Sequence, residues 1–126
     1  MGEFRNRSAQ IAFVLHDFPC GDMFESGIYH YYADPPQKLS IELYFDRDMS
    51  WAGYPDPTSW SVVTNLGPVT VNWQGWHGLR QLGLETTDPG GIPTWVTVEF
   101  LHRDPGLRSE EMLLCCPFGP ADLVLD

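Results

Sequence analysis

Asp46, Asp48, Asp56 and Asp88 all fall in or beside stretches that read as loops, the first two in DRDMS and the third in YPDP. Loop carboxylates of this kind are what Ca²⁺ recruits, in sets of about six to eight oxygens. No EF-hand spacing accompanies them, and aspartate is also a preferred turn and capping residue. Asp46, Asp48 and Asp56 therefore stand as calcium candidates beside a plain turn-forming role. The histidines, His16, His30, His77 and His102, show no HxH or HExxH spacing, and no CxxC is present. A zinc site would have to be assembled across distant strands, with Cys115 or Cys116 as a further ligand. No cofactor and no metal are expected. His16-Asp17 has no nucleophile motif to serve, and Glu110-Glu111 are adjacent, so on a strand they would face opposite sides. The residues do not argue for an enzyme.

The aromatic residues offer a different chemistry, that of contact. Trp51 and Tyr54 flank Gly53, and Trp76-His77 lie between Gly75 and Gly78. Rigid aromatic side chains on loops are the usual anchors of protein interfaces and of sugar platforms. Trp51, Tyr54, Trp76 and His77 are thus the expected partner-binding set. The alternative is that Trp60 and Trp73 fill the core and the other two tryptophans cap it.

The elements that must position these residues are strands. From Ile41, the run IELYFD places Ile41, Leu43 and Phe45 on one side and Glu42, Tyr44 and Asp46 on the other, the two-residue period of a half-buried strand. The chain then crosses a loop with Pro and Gly and re-enters extended structure at Trp60 to Val63. Further strands are predicted over Ile11 to Leu15, Ile28 to Ala33, Val69 to Trp73, Leu79 to Glu85, Trp95 to His102, Met112 to Cys116 and Leu123 to Leu125. Pro35-Pro36, Gln74 to Gly78, Thr86 to Gly91 and Asp104 to Gly106 interrupt them. Only Arg108 to Leu114 could make a helical turn or two. The expected class is all-β, an antiparallel sandwich of about seven to nine strands with no long helix. Its core would include Ile41, Leu43, Phe45, Val62, Val69, Val71, Val96, Val98 and Phe100. Residues 1–27 read as an N-terminal extension with one short strand, and 28–126 as the sandwich.

The chain has 126 residues, enough for one domain with a two-layer core. Seven Lys and Arg face seventeen Asp and Glu, a net charge of −10. Phosphate polymers and anionic membrane surfaces are bound largely through basic residues, so nucleic acid and membrane are not expected partners. The apolar run Ile11 to Leu15 is too short for a signal sequence, and no stretch reaches membrane-spanning length. Cytoplasmic synthesis is expected. Cys20, Cys115 and Cys116 agree with it, because an odd number containing an adjacent pair makes a poor bridge framework. They are expected as buried, unbridged thiols.

Phe45-Asp46-Arg47-Asp48-Met49 followed by Trp60-Ser61-Val62 resembles the strand corner of bacterial immunoglobulin-like domains of adhesins and surface-layer proteins. Val96 to Leu101, running into Asp104 to Ser109, looks like their penultimate strand and its exit, and Pro117-Phe118-Gly119 sits where their last strand begins. The likeness covers about residues 28–125. It implies an immunoglobulin-like sandwich of seven strands that binds or spaces and performs no chemistry. Such domains usually recur in tandem in secreted chains without cysteine, whereas this sequence shows a single unit with three cysteines. A structural subunit of a larger assembly, such as a virion or surface array, fits those departures better. The expected function is a non-catalytic interaction module whose partner is a protein or its own copies. The alternatives are a carbohydrate-binding module using the loop aromatics and a small metal-dependent enzyme.

Overall fold

The computed structural model describes residues 20–101 and 106–126. The strand expected over Ile11 to Leu15, and His16, Asp17, His102, Asp104 and Pro105, lie outside them. Within them the chain forms eleven strands and one short 3-10 turn, Pro57–Ser59. The strands are β1 (Cys20–Gly21), β2 (Phe24–Tyr32), β3 (Lys38–Phe45), β4 (Trp60–Thr64), β5 (Gly67–Val69) and β6 (Val71–Gly78). They continue with β7 (Gln81–Thr86), β8 (Val96–Phe100), β9 (Leu114–Cys115), β10 (Phe118–Asp122) and β11 (Val124–Leu125).

A five-stranded sheet has the order β11-β2-β3-β7-β6, and a four-stranded sheet the order β10-β8-β4-β5. The short parallel pair β1-β9 lies apart from both. The alternation read from IELYFD holds throughout β3: Leu39, Ile41, Leu43 and Phe45 are buried, and the residues between them are half-buried on the opposite face. Strand β7 contributes Leu82 and Leu84 to the same side, and β4 and β8 supply Trp60, Val62, Val96, Val98 and Phe100 from the other sheet. The two inner faces close over one core, which makes the molecule an all-β sandwich. Each fully buried aliphatic or phenyl side chain contributes about 1.5–3 kcal/mol to it.

Turn chemistry sets the hairpins. β4 and β5 are joined through Asn65-Leu66, where Gly67 takes φ +117°, a left-handed conformation that glycine adopts without a Cβ penalty. Thr64 Oγ1 donates to the Gly67 carbonyl at 2.9 Å and accepts from the Leu66 amide at 2.9 Å, closing that turn. After β7, the Gly90 amide donates to Asp88 Oδ1 at 2.9 Å, so Asp88 is a turn residue.

Several expectations are corrected. Strand β2 starts at Phe24, inside the stretch read as a loop, so the boundary placed between 27 and 28 cuts a strand. Residues 24–27 belong to the five-stranded sheet, while Cys20 and Gly21 pair with β9. Gln74 to Gly78 does not interrupt a strand. It is the second half of β6, with register shifts between Val71 and Trp73 and between Trp76 and Gly78. The first shift turns Trp73 outward, leaving it 43% exposed, while Val71 stays buried. Val69 is only half-buried, packed against the core from the sheet edge. Arg108 to Leu114 makes no helix; Arg108 bridges Leu114 and Ser109 bridges Met49. Nor are the cysteines all thiols. Cys20 and Cys116 form a disulfide across a Cα–Cα distance of 5.0 Å, and Cys115 alone remains a buried thiol. The pairing β1-β9 brings Cys20 beside Leu114, two residues from Cys116, a proximity that sequence spacing cannot show.

Candidate site: an aromatic loop braced on β6

The loop between β3 and β4 is built onto the edge of the five-stranded sheet by side chains of β6. Gln74 and Trp76 project toward the sandwich interior side of that strand. The Gln74 amide accepts from Trp60 Nε1–H at 2.9 Å and donates from Nε2 to the Pro55 carbonyl at 2.9 Å. Trp76 Nε1–H donates to the Gly53 carbonyl at 3.4 Å. At the loop's start, the Met49 amide donates to Leu79 O at 2.8 Å and the Ser50 amide to Arg108 O at 2.9 Å, with the Met49 side chain buried. At its end, Asp56 caps the 3-10 turn, accepting from the Thr58 amide at 2.9 Å and its hydroxyl at 2.8 Å. Gly106 lies so close to Tyr54 and Pro55 that a Cβ there would overlap their backbone. The loop is irregular in conformation but fixed at many points.

On this frame Trp51 is 54% exposed and Tyr54 44% exposed. The Tyr54 ring lies nearly parallel to Trp76, with centroids 6.3 Å apart and 18° between planes. Trp76 also approaches Phe45 of the core, centroid to centroid 6.3 Å. Half-buried, it links core and loop. The chain thus brings Tyr54 and Trp76 together and sets Trp51 on the same loop. His77 is separated from them, because neighbouring residues of a strand point to opposite faces. Its Nδ1 lies 2.7 Å from Glu42 Oε2 on the outer face of the sheet. Trp60 lies in the core, 6% exposed and tilted against Phe100 at 5.0 Å, as the alternative reading had it.

The calcium candidates are engaged by other groups of the chain. Asp46 pairs with Arg47 at 2.6 Å, and this hydrogen-bonded guanidinium holds its carboxyl below the usual aspartate range despite some desolvation. Asp48 pairs with Arg80 at 2.9 Å, and Asp56 serves as the cap. Among the described residues no three His, Cys, Asp or Glu side chains converge as a metal site. No helix of the described residues is long and apolar enough to cross a membrane.

Sequence reasoning overlooked Gln74, the residue that ties Trp60, β6 and the loop together. The available signal was a polar residue in an aromatic-rich strand, which must find partners when half-buried. Comparison with known families and curated proteins adds no relative: no family model matches the chain, and no curated protein matches it.

Proposed function

We propose that this chain is a non-catalytic interaction module, a structural subunit that assembles with copies of itself through the Trp51–Tyr54 loop. The observation that carries this reading is the combination of exposure and fixation. Trp51 and Tyr54 present large apolar rings to solvent from a loop pinned by Gln74, Trp76 and the Arg108 backbone. Anchors held in place before contact lose little conformational freedom on docking and so contribute strongly to affinity. The resemblance to immunoglobulin-like modules of surface assemblies supports the same class. The net charge of −10 repels a second copy, so the apolar contacts of this loop must offset that repulsion. Virion or surface-array membership is part of this proposal.

Sugar binding by Trp51, Tyr54 and Trp76 together is less well supported, since Tyr54 covers one side of the Trp76 ring. Light scattering over a concentration series tests the assembly reading. Mass is expected to rise with concentration, and the Trp51→Ala chain to need about 30-fold more protein for the same mass, corresponding to about 2 kcal/mol at a hot spot. A chain that stays monomeric throughout would refute it.

A further inference from the structure

The outer face of the five-stranded sheet carries a second arrangement, independent of the loop. Gly75 of β6 and Gly83 of β7 are directly paired. A Cβ on Gly75 would overlap the Trp73 ring, and one on Gly83 would overlap the His77 ring. The two rings therefore lie down over the two glycines, with centroids 5.9 Å apart and planes 37° from one another. Both glycines are buried beneath them, while Trp73 and His77 remain exposed to solvent.

Polar side chains rim this platform. Glu42 of β3 holds it on one side, with Oε2 2.7 Å from His77 Nδ1 and Oε1 accepting from Gln81 Nε2 at 2.8 Å. Glu85, the register partner of Trp73, pairs with Lys38 at 3.1 Å. Beyond Glu42 the same face dips into a hollow of about 130 Å³ lined by Ile28, His30, Tyr32, Ser40, Glu42 and Asp126. There His30 and Tyr32 form an edge-on pair at 4.6 Å, and Tyr32 is largely exposed. Strands β2 and β6 are three spacings apart, so the two aromatic stations are separated by about 14 Å, with Glu42 and Ser40 between them.

We propose that this face binds a neutral, β-linked oligosaccharide. A pyranose with equatorial hydroxyls has a flat face of C–H bonds, which packs on an aromatic ring, and a rim of hydroxyls, which requires oriented acceptors and donors. Trp73 and His77 supply the flat surface. Glu42, Gln81 and Ser40 supply the polar groups, the carboxylate being the strongest acceptor among them. Covering two glycines accounts for the inner side of each ring. The sugar accounts for the outer side, for the ring of polar groups and for the second station one short oligosaccharide away. The hollow is far smaller than the several hundred Å³ of an enclosed ligand pocket. Recognition is therefore along a surface, by an extended ligand. Glu42, Glu85 and the net charge of −10 oppose an acidic sugar.

The test is isothermal titration of the intact chain with cellohexaose, xylohexaose and mannohexaose, with an oligogalacturonate as the anionic control. At least one neutral hexaose is expected to bind and the oligogalacturonate not to. Trp73→Ala is expected to weaken that binding at least tenfold. Glu42→Gln, which preserves shape, should weaken it about fivefold. Gly75→Ala, which lifts the Trp73 ring off the sheet, should do as Trp73→Ala does. Leu66→Ala, in the β4–β5 turn, should leave it unchanged. Circular dichroism of each variant confirms folding, and Trp73→Phe restores part of the affinity if the ring face is what matters. Absence of binding to all three hexaoses overturns the proposal, as does equal binding by folded Trp73→Ala or by the oligogalacturonate. The assembly reading is measured separately by light scattering, so either can fail without the other.

Discussion

At the scale of single residues, Trp51 and Trp76 separate a contact role from a structural one. Trp76 touches Phe45 on one side and Tyr54 on another and holds the Gly53 carbonyl. Truncating it removes core packing and frees the loop, so Trp76→Ala is expected to cost about 3 kcal/mol of folding stability in urea denaturation. Trp51→Ala should cost no more than about 0.5 kcal/mol, as an exposed substitution away from such features. Equal losses would show Trp51 to be structural too. Cys115 gives a pH prediction. Burial, with smaller contributions from Asp22 and Asp46 and opposition from Arg47, pushes its thiol up to about 12. An unfolded thiol titrates near 8.5. Above that pH the unfolded chain loses this proton while the folded chain keeps it, so the thiol's contribution to stability falls as pH rises from about 9 toward 12. In the folded chain a thiol reagent at pH 8 should leave Cys115 unmodified until denaturant is added. Rapid labelling of the native protein would contradict the burial.

At the scale of elements, β3 and β8 were legible because their alternation is unbroken. Of the nine expected core residues, only Val69 falls short of full burial, at the edge of its sheet. Phe45→Ala or Phe100→Ala should accordingly cost about 3–5 kcal/mol, measured by chemical denaturation; a loss under 1 kcal/mol would mean the core is elsewhere. Strand β6 was not legible in the same way. A bulge adds one residue to the count, and alternation extrapolated from Val69 and Val71 then assigns Trp73 to the wrong face. Gly75 and Gly78 read as breakers, yet Gly75 is needed inside a strand because an aromatic ring lies over it. The loop aromatics were legible as a group. Their division between two faces was not, since it follows from the phase of β6, which depends on those bulges.

At the scale of the whole molecule, the disulfide changes the account most. It joins residues 96 apart in sequence and ties β1 to the segment after β9. Closing a loop of that length restricts the unfolded chain by about 4–5 kcal/mol in the chain-entropy model. Replacing Cys20 and Cys116 by serine is expected to lower unfolding free energy by about 2–5 kcal/mol in urea titrations. No change would show that the bridge constrains nothing. Bridges of this type persist in oxidising compartments, and this one replaces the reduced thiols that cysteine count and spacing led one to expect. The net charge of −10 acts at the same scale, opposing acidic partners and self-association unless apolar contacts offset it. The aromatic loop is where such contacts are offered. The most direct measurement of the central claim is sedimentation equilibrium of the wild-type and Trp51→Ala chains at 0.15 M and 0.5 M salt. The account predicts association by the wild type that strengthens with salt as repulsion is screened, and association about 30-fold weaker in Trp51→Ala, with nearly the same melting temperature at dilutions where both are monomers. A monomer at every concentration, or wild-type affinity in the Trp51→Ala chain, would contradict it.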